Sequence, residues 1–222
     1  MNITVITPPP FEPLSREDVY NQLRLDAEGS PLSHPDDALI DSYITTGREF
    51  VEKSTRRSLV QRTLRLSAAG FPVCVSPWVY QRSLLPMRFQ PPQHIYLPRP
   101  PIVSVTSVKY FDIDNTLQTV DSSDYYLTDD EVPELRFVRN FSAPTTYDRP
   151  DALRVEYVAG YAPAGSPPSS RADYVVNVPQ SLVNAILASV TLLYDSLPPA
   201  NMEALSNMRE AYMSPFRVQL SV

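Results

Sequence analysis

The sequence predicts an α+β fold: a helical bundle from N- and C-terminal helices, with an inserted antiparallel β-sandwich or small barrel. Three observations predict it. Apolar residues recur at three- and four-residue steps over residues 36–55 and again from 179. From about residue 61 the period changes to two, in several short runs. The chain of 222 residues holds 24 prolines and 5 glycines, so its turns are stiff and few positions adopt φ > 0 cheaply. The same scarcity of glycine argues against glycine-cradled phosphate sites.

Residues 1–13, rich in proline, read as an extended arm. Ser15 is a good N-cap with Asp18 in a capping-box position, and Leu14 and Val19 suit a hydrophobic staple. The helix covers "REDVYNQLRL". The next, "DDALIDSYITTGREFVEKST", has the cleanest pattern, with Leu39, Ile40, Tyr43, Ile44, Gly47, Phe50 and Val51 on one stripe. A glycine on that stripe calls for close approach by another element.

"QRTLRLSA" places Leu64 and Leu66 on one face and Thr63 and Arg65 on the other. "IYLPRPPIVSVTSVKYFD" continues the alternation with Val103 and Val105, then Val108 and Tyr110. "DIDNTLQTV" reads as a hairpin turn in which Asn115 takes the left-handed conformation. "DYYLT", "ELRFV" and "ALRVEYVAG" supply three further strands. Pro179 then opens a helix whose stripe is Leu182, Val183, Ile186, Leu187, Val190, Leu193 and Tyr194. A last helix carries Leu205, Met208 and Tyr212 before Pro215.

The resulting division is an arm over 1–13, a helical bundle from 14–60 and 179–197, a β-rich insertion over 61–178, and a C-terminal helix and tail over 198–222. Long loops fall at 71–93 and 162–178. The outer amphipathic helices are expected to pack on each other.

Chemistry is hard to find. His34 and His94 stand sixty residues apart, and no Cys-x-x-Cys or His-x-x-x-His spacing occurs. Cys74, the one cysteine, excludes an internal disulfide and reads as a small apolar residue. "FDIDN" resembles the opening of a calcium loop, but Leu117 and Ser123 stand where glycine and glutamate are required. No catalytic, cofactor or metal residue is assigned, and the chain is not expected to be an enzyme. A net charge of −6 argues against a general nucleic-acid binder. No run of about 18 apolar residues supports a membrane span, and "MNITVITPPP" does not read as a signal peptide.

Three stretches leave a choice between structure and contact. Arg56, Arg57, Arg62 and Arg65 suit either a solvated helix end or a partner's carboxylates or phosphates. Trp78, Tyr80, Leu84, Leu85 and Phe89 crowd a loop that either folds over the sheet or meets a neighbour or the tail. Tyr212, Met213, Pro215, Phe216 and Arg217 form either an anchor for a partner or a helix end on its own bundle.

The succession "ITPPPFEPLSREDVYNQLRLD", "DDALIDSYITTGREFVEKSTRRSLVQRTLRL", "IYLPRPPIVSVTSVKYFDIDN", "LRVEYVAGYA" and "VPQSLVNAILASVTLLYD" resembles the head–tail connector (adaptor) proteins of long-tailed bacteriophages. The resemblance runs from about residue 5 to 196, and "MSPFRV" looks like that family's C-terminal tail. It implies a structural adaptor that forms a ring beneath the portal, usually a dodecamer, extends the DNA channel and docks the tail. The implied partners are the portal, through the C-terminal tail, a tail-side neck or stopper protein, and further copies of the chain. Double-stranded DNA would pass through the lumen without specific binding, and net negative charge suits that passage. The implied location is the virion neck, after assembly in the host cytoplasm. Residues 71–93 and 162–178 exceed the family pattern. The alternatives are another phage tail-completion or baseplate protein, and a small β-rich binding module or hydrolase. A monomer or weak oligomer is expected before assembly, since the apolar stripes fit within one fold.

Overall fold

The computed structural model describes residues 2–71, 94–130, 132–161, 172–173 and 177–218. It contains four helices and two antiparallel sheets among those residues. The chain divides into two compact units. One comprises Met1–Pro8 and Arg62–Ala159, and the other Pro9–Gln61 and Gly160–Val222.

The second of these is helical. Its elements are α1 (Arg16–Leu23), α2 (Asp37–Thr55), α3 (Gln180–Tyr194) and α4 (Pro199–Met213), followed by a 3-10 turn at Ser214–Phe216. Helix α1 starts as expected. The Asp18 amide donates to Ser15 Oγ at 3.1 Å, and the Ser15 amide donates to Asp18 Oδ2 at 2.8 Å. With so few glycines, arginine closes two helices: Arg24 and Arg56 adopt φ of 55° and 57°. The left-handed region costs a non-glycine residue about 1–2 kcal/mol, which the surrounding packing must offset.

Helix α2 packs on α3 through Gly47, as its place on the stripe required. A Cβ at that position would lie 3.2 Å from the Ile186 carbonyl oxygen and 3.3 Å from Ser189 Cβ. The buried face of α2 is narrower than its apolar stripe. Ile40, Ile44, Gly47 and Val51 are buried, whereas Leu39 and Phe50 are exposed. Arg48, Glu52 and Thr55 take the remaining buried positions. Leu193 is likewise exposed, and Ala185, Ala188 and Ser189 line the buried face of α3. Small residues fill the seam because the helix backbones approach closely there. Polar ties fix the helix ends: Arg16 pairs with Asp41 and Asp37, and the Tyr194 hydroxyl donates to Asp36 at 2.7 Å.

The other unit holds the strands. They are β1 (Asn2–Thr7), β2 (Arg62–Ala68), β3 (His94–Tyr96), β4 (Ile102–Phe111), β5 (Leu117–Thr119), β6 (Tyr125–Leu127), β7 (Glu134–Phe137) and β8 (Leu153–Ala159). One sheet has the order β1-β2-β8-β4-β5 and the other β3-β7-β6. Strands β2 and β8 alternate strictly, so Leu64, Leu66, Val155 and Tyr157 face the core. Both sheets contribute to that core, with Ile95, Leu135 and Phe137 coming from the smaller one. Phe137 stacks on Phe141 at 4.5 Å.

Two expectations are corrected here. The first six residues of the proline-rich arm after Met1 are strand β1, paired with β2 from Asn2↔Ser67 to Thr7↔Thr63. In β4, Val103 is exposed and Ile102 is buried instead. The register against β8 shifts between Ile102 and Ser104 and again between Val105 and Ser107. Each bulge reverses the phase of the alternation, so a period-two pattern carried back from Val105 to Val103 lands on the wrong face.

The hairpin after β4 is as expected, with Asn115 at φ 58°. Asp112 turns its carboxylate inward on the hairpin, accepting from the amides of Asp114 and Thr116 and from the Gln118 side chain. Those bonds hold its pKa below the ordinary carboxylate value, the Gln118 amide contributing most. Arg149 reaches Asn115 Oδ1 at 3.0 Å, lies 3.9 Å over the Phe111 ring and forks onto Asp151, which Arg154 also grips.

Candidate assembly surfaces

The C-terminal segment is strapped to its own unit. Met213 is fully buried in the core formed by the helices, and Tyr212 and Phe216 pack half-buried against it. Arg57 Nε donates to the Phe216 carbonyl at 2.7 Å, and the Val218 amide donates to the Thr55 carbonyl at 3.1 Å. Ser214, Pro215 and Arg217 remain exposed, with Arg217 paired to Glu210 on the last turns of α4. Of the five residues expected to anchor a partner, Met213 is thus committed to the interior. Pro215 and Arg217 are the side chains offered to solvent.

The arginine run resolves into separate structural duties. Arg56 closes α2, and Arg57 holds the tail. Arg62 is buried at the start of β2, and Arg65 forms a cross-strand ion pair with Glu156 at 2.6 Å. The Arg65 partner holds the Glu156 pKa below its ordinary value.

A buried ionic cluster lies on α2, and sequence reading missed it. Arg48 Nε donates to Glu12 Oε2 at 2.7 Å and Arg48 Nη1 donates to Glu52 Oε2 at 2.9 Å. Glu52 also accepts the Leu59 amide at 2.9 Å, and Thr45 donates to Glu12. The cluster ties the chain before α1 and the chain after α2 to one helix. Its only trace in the sequence is a Glu four residues after an Arg on the apolar face, a spacing common on solvated helices as well.

His34 accepts the Asp36 amide at 3.1 Å, a capping role at the start of α2, and His94 is exposed at the start of β3. Among the described residues no group of three His, Cys, Asp or Glu side chains is placed to hold a metal ion. No helix among them is long and apolar enough to cross a membrane. Cys74 and the aromatic loop of Trp78, Tyr80, Leu84, Leu85 and Phe89 lie outside the described residues.

Exposed apolar side chains gather in particular places. On the helical unit they include Leu39, Phe50, Leu193, Met202 and Met208, with Arg209 stacked 4.2 Å over the Phe50 ring. On the sheet unit they include Ile3, Val5 and Ile6 on β1, Val103 near the start of β4, and Ile113 and Leu117 at the hairpin between β4 and β5.

The fold has close counterparts among solved structures. The chain is similar to a chain in the neck of an empty gene transfer agent particle computed with C6 symmetry, with TM-score 0.67 and 18% identity. It is similar also to one in the neck of the native particle computed with C12 symmetry, with TM-score 0.64 and 16% identity. A third, from the virion of the native particle, gives TM-score 0.64 and 18% identity. Each superposition covers 100% of this chain and 98% of the other. No family model matches the chain, and no curated protein matches it in sequence. At these identities the likeness establishes a shared α+β fold from end to end.

Proposed function

We propose that the protein is a structural neck component of a tailed phage or phage-like particle: a head–tail adaptor that forms a ring beneath the portal, extends the DNA channel and docks the tail. The observation that carries this reading is the end-to-end likeness to chains from particle necks, over 100% of this chain and 98% of theirs. It supports a part built for the same place, rather than one domain borrowed from it. The ring is dodecameric, in keeping with the C12 symmetry used for one of those necks. The sequence resemblance to connector proteins points the same way independently.

In such a ring one face of each subunit meets a different face of the next, and the contact repeats until it closes. Each contact can be weak, since neighbours already in the ring raise the effective concentration of the last. The exposed tail turn, with Pro215 and Arg217, is the portal-facing element. Tyr212 and Phe216 brace it, and Met213 roots it in the core. The loop bearing Trp78, Tyr80, Leu84, Leu85 and Phe89 meets a neighbouring copy or the tail-side stopper. A net charge of −6 is in keeping with a lumen that lets DNA slide rather than holding its phosphates. Turnover of a substrate plays no part in this role.

Electron microscopy of the chain mixed with its portal tests the proposal. A ring seated coaxially on the portal supports it. A ring that forms only with tail or baseplate components would reassign the protein to that end of the particle.

A further inference from the structure

Among the described residues the five-stranded sheet ends in two uncovered edges, β1 on one side and β5 with the outer part of β4 on the other. Strand β5 pairs only with Lys109, Tyr110 and Phe111. Along Val103 to Ser107, no described strand covers that side of β4. An open edge presents unpaired amides and carbonyls to any passing strand. Soluble proteins usually guard such edges with lysine, proline or other charges. Prolines flank these edge segments at 8–10 and 100–101, but no proline or charge lies within them. Strand β1 reads Asn-Ile-Thr-Val-Ile-Thr, β4 begins Ile-Val-Ser-Val-Thr-Ser, and β5 is Leu-Gln-Thr. All fifteen positions are uncharged in a chain that is 20% charged.

Every residue of β1 is exposed, so neither face of the strand is covered. Among the described residues of this unit, eight large apolar side chains are exposed, and six of them lie on β1, near the start of β4 or at the β4–β5 hairpin. The shift in the β1 ladder lies between Val5 and Thr7, leaving Asn2 to Val5 as a regular edge.

We propose that β1 of one copy adds to the β4–β5 edge of the next, so that continuous sheet runs between subunits; this rests on the ring reading above. The occupant is a second copy because one sheet carries both halves of the contact. Two different edges joining head to tail make a heterologous interface, the kind that propagates and closes into a ring. Pairing of β1 with another β1 would make a two-fold dimer and stop. Main-chain hydrogen bonds supply the affinity, and the exposed Ile3, Val5, Val103 and Leu117 supply apolar contact and register.

The test is oxidative cross-linking of the whole chain assembled on portal particles. In a Cys74→Ser background, Ile3→Cys, Thr4→Cys and Val5→Cys are each combined with Val103→Cys or with Gln118→Cys. At least one pair should give a ladder of covalent multimers beyond the dimer. Separately, Val5→Lys should raise the concentration needed for ring formation at least tenfold with an unchanged melting temperature. Rings seen by microscopy without any ladder, or Thr4→Cys alone giving dimers as the sole product, would overturn the strand-addition contact and leave the ring standing. Absence of rings from the unsubstituted chain would overturn the ring reading and this contact with it.

Discussion

The Cα of Gly47 faces the carbonyl of Ile186 so closely that an added Cβ would lie 3.2 Å from the oxygen. This contact sets the spacing of α2 and α3, and it separates two effects of substitution. Alanine gains about 1 kcal/mol of helix propensity over glycine, against a displacement of a few tenths of an ångström. Gly47→Ala is expected to stay within about 1 kcal/mol of the parent in urea unfolding. Gly47→Leu forces the helices apart and should cost about 2–3 kcal/mol. Equal stability for both variants would show that the seam is loose.

Glu52 and Arg48 form a buried pair, with side chains 1% and 6% exposed. Removing one partner strands the other charge. Glu52→Ala should cost about 3–5 kcal/mol, whereas a joint Arg48→Met, Glu52→Leu replacement should recover most of it. Thermal melts of the single and double variants measure the difference. A double variant no better than the single would mean the pair is not acting as a unit.

Asp151 gives the sheet unit an acid limit. Hydrogen bonds from Arg149 and then Arg154 lower its pKa from 3.8 to about 2. A carboxylate depressed in the folded state contributes stability above its unfolded pKa and loses it as pH falls through the folded one. The clamp is therefore intact above about pH 4 and fails towards pH 2. Asp151→Asn should melt below the parent at neutral pH, and the gap should close through that window. Parallel curves for the two proteins down to pH 2 would contradict the assignment.

The tail offers a separation of folding from assembly. Met213→Ala opens a cavity in the helical core and should cost about 2–5 kcal/mol. Arg217 and Glu210 are both exposed, with side chains 45% and 41% accessible, so Arg217→Glu should change stability by no more than about 1 kcal/mol. On the proposed function it should weaken portal association about tenfold or more, read by co-sedimentation with portal rings. Undiminished association would remove the tail turn from the interface.

What the sequence revealed follows the strength of each local signal. The Ser15–Asp18 cap, the left-handed Asn115 and the Gly47 approach each depend on one residue doing what few others can, and each is present. Strands β2 and β8 were legible because they alternate without interruption. Strand β1 was hidden by the prolines that follow it at 8–10, which made the whole segment resemble an arm. Val103 was misplaced because bulges leave no mark on composition. The buried Arg48 and Glu52 were unreadable, since charges are placed at the surface unless a partner is seen, and Glu12 is far away in sequence. The tail was left with two readings because an amphipathic helix end looks the same whether it meets its own chain or another. The fold shows that Met213 meets its own.

The most direct test of the central claim is the mass and symmetry of what the chain builds on its portal. Native mass spectrometry of the complex, with a cryo-electron microscopy reconstruction refined without imposed symmetry, gives both. The account predicts twelve copies of the 25.0-kDa chain in one closed ring, coaxial with the portal and continuous with its channel. A portal that stays bare, or a chain bound at some other part of the particle, would contradict it.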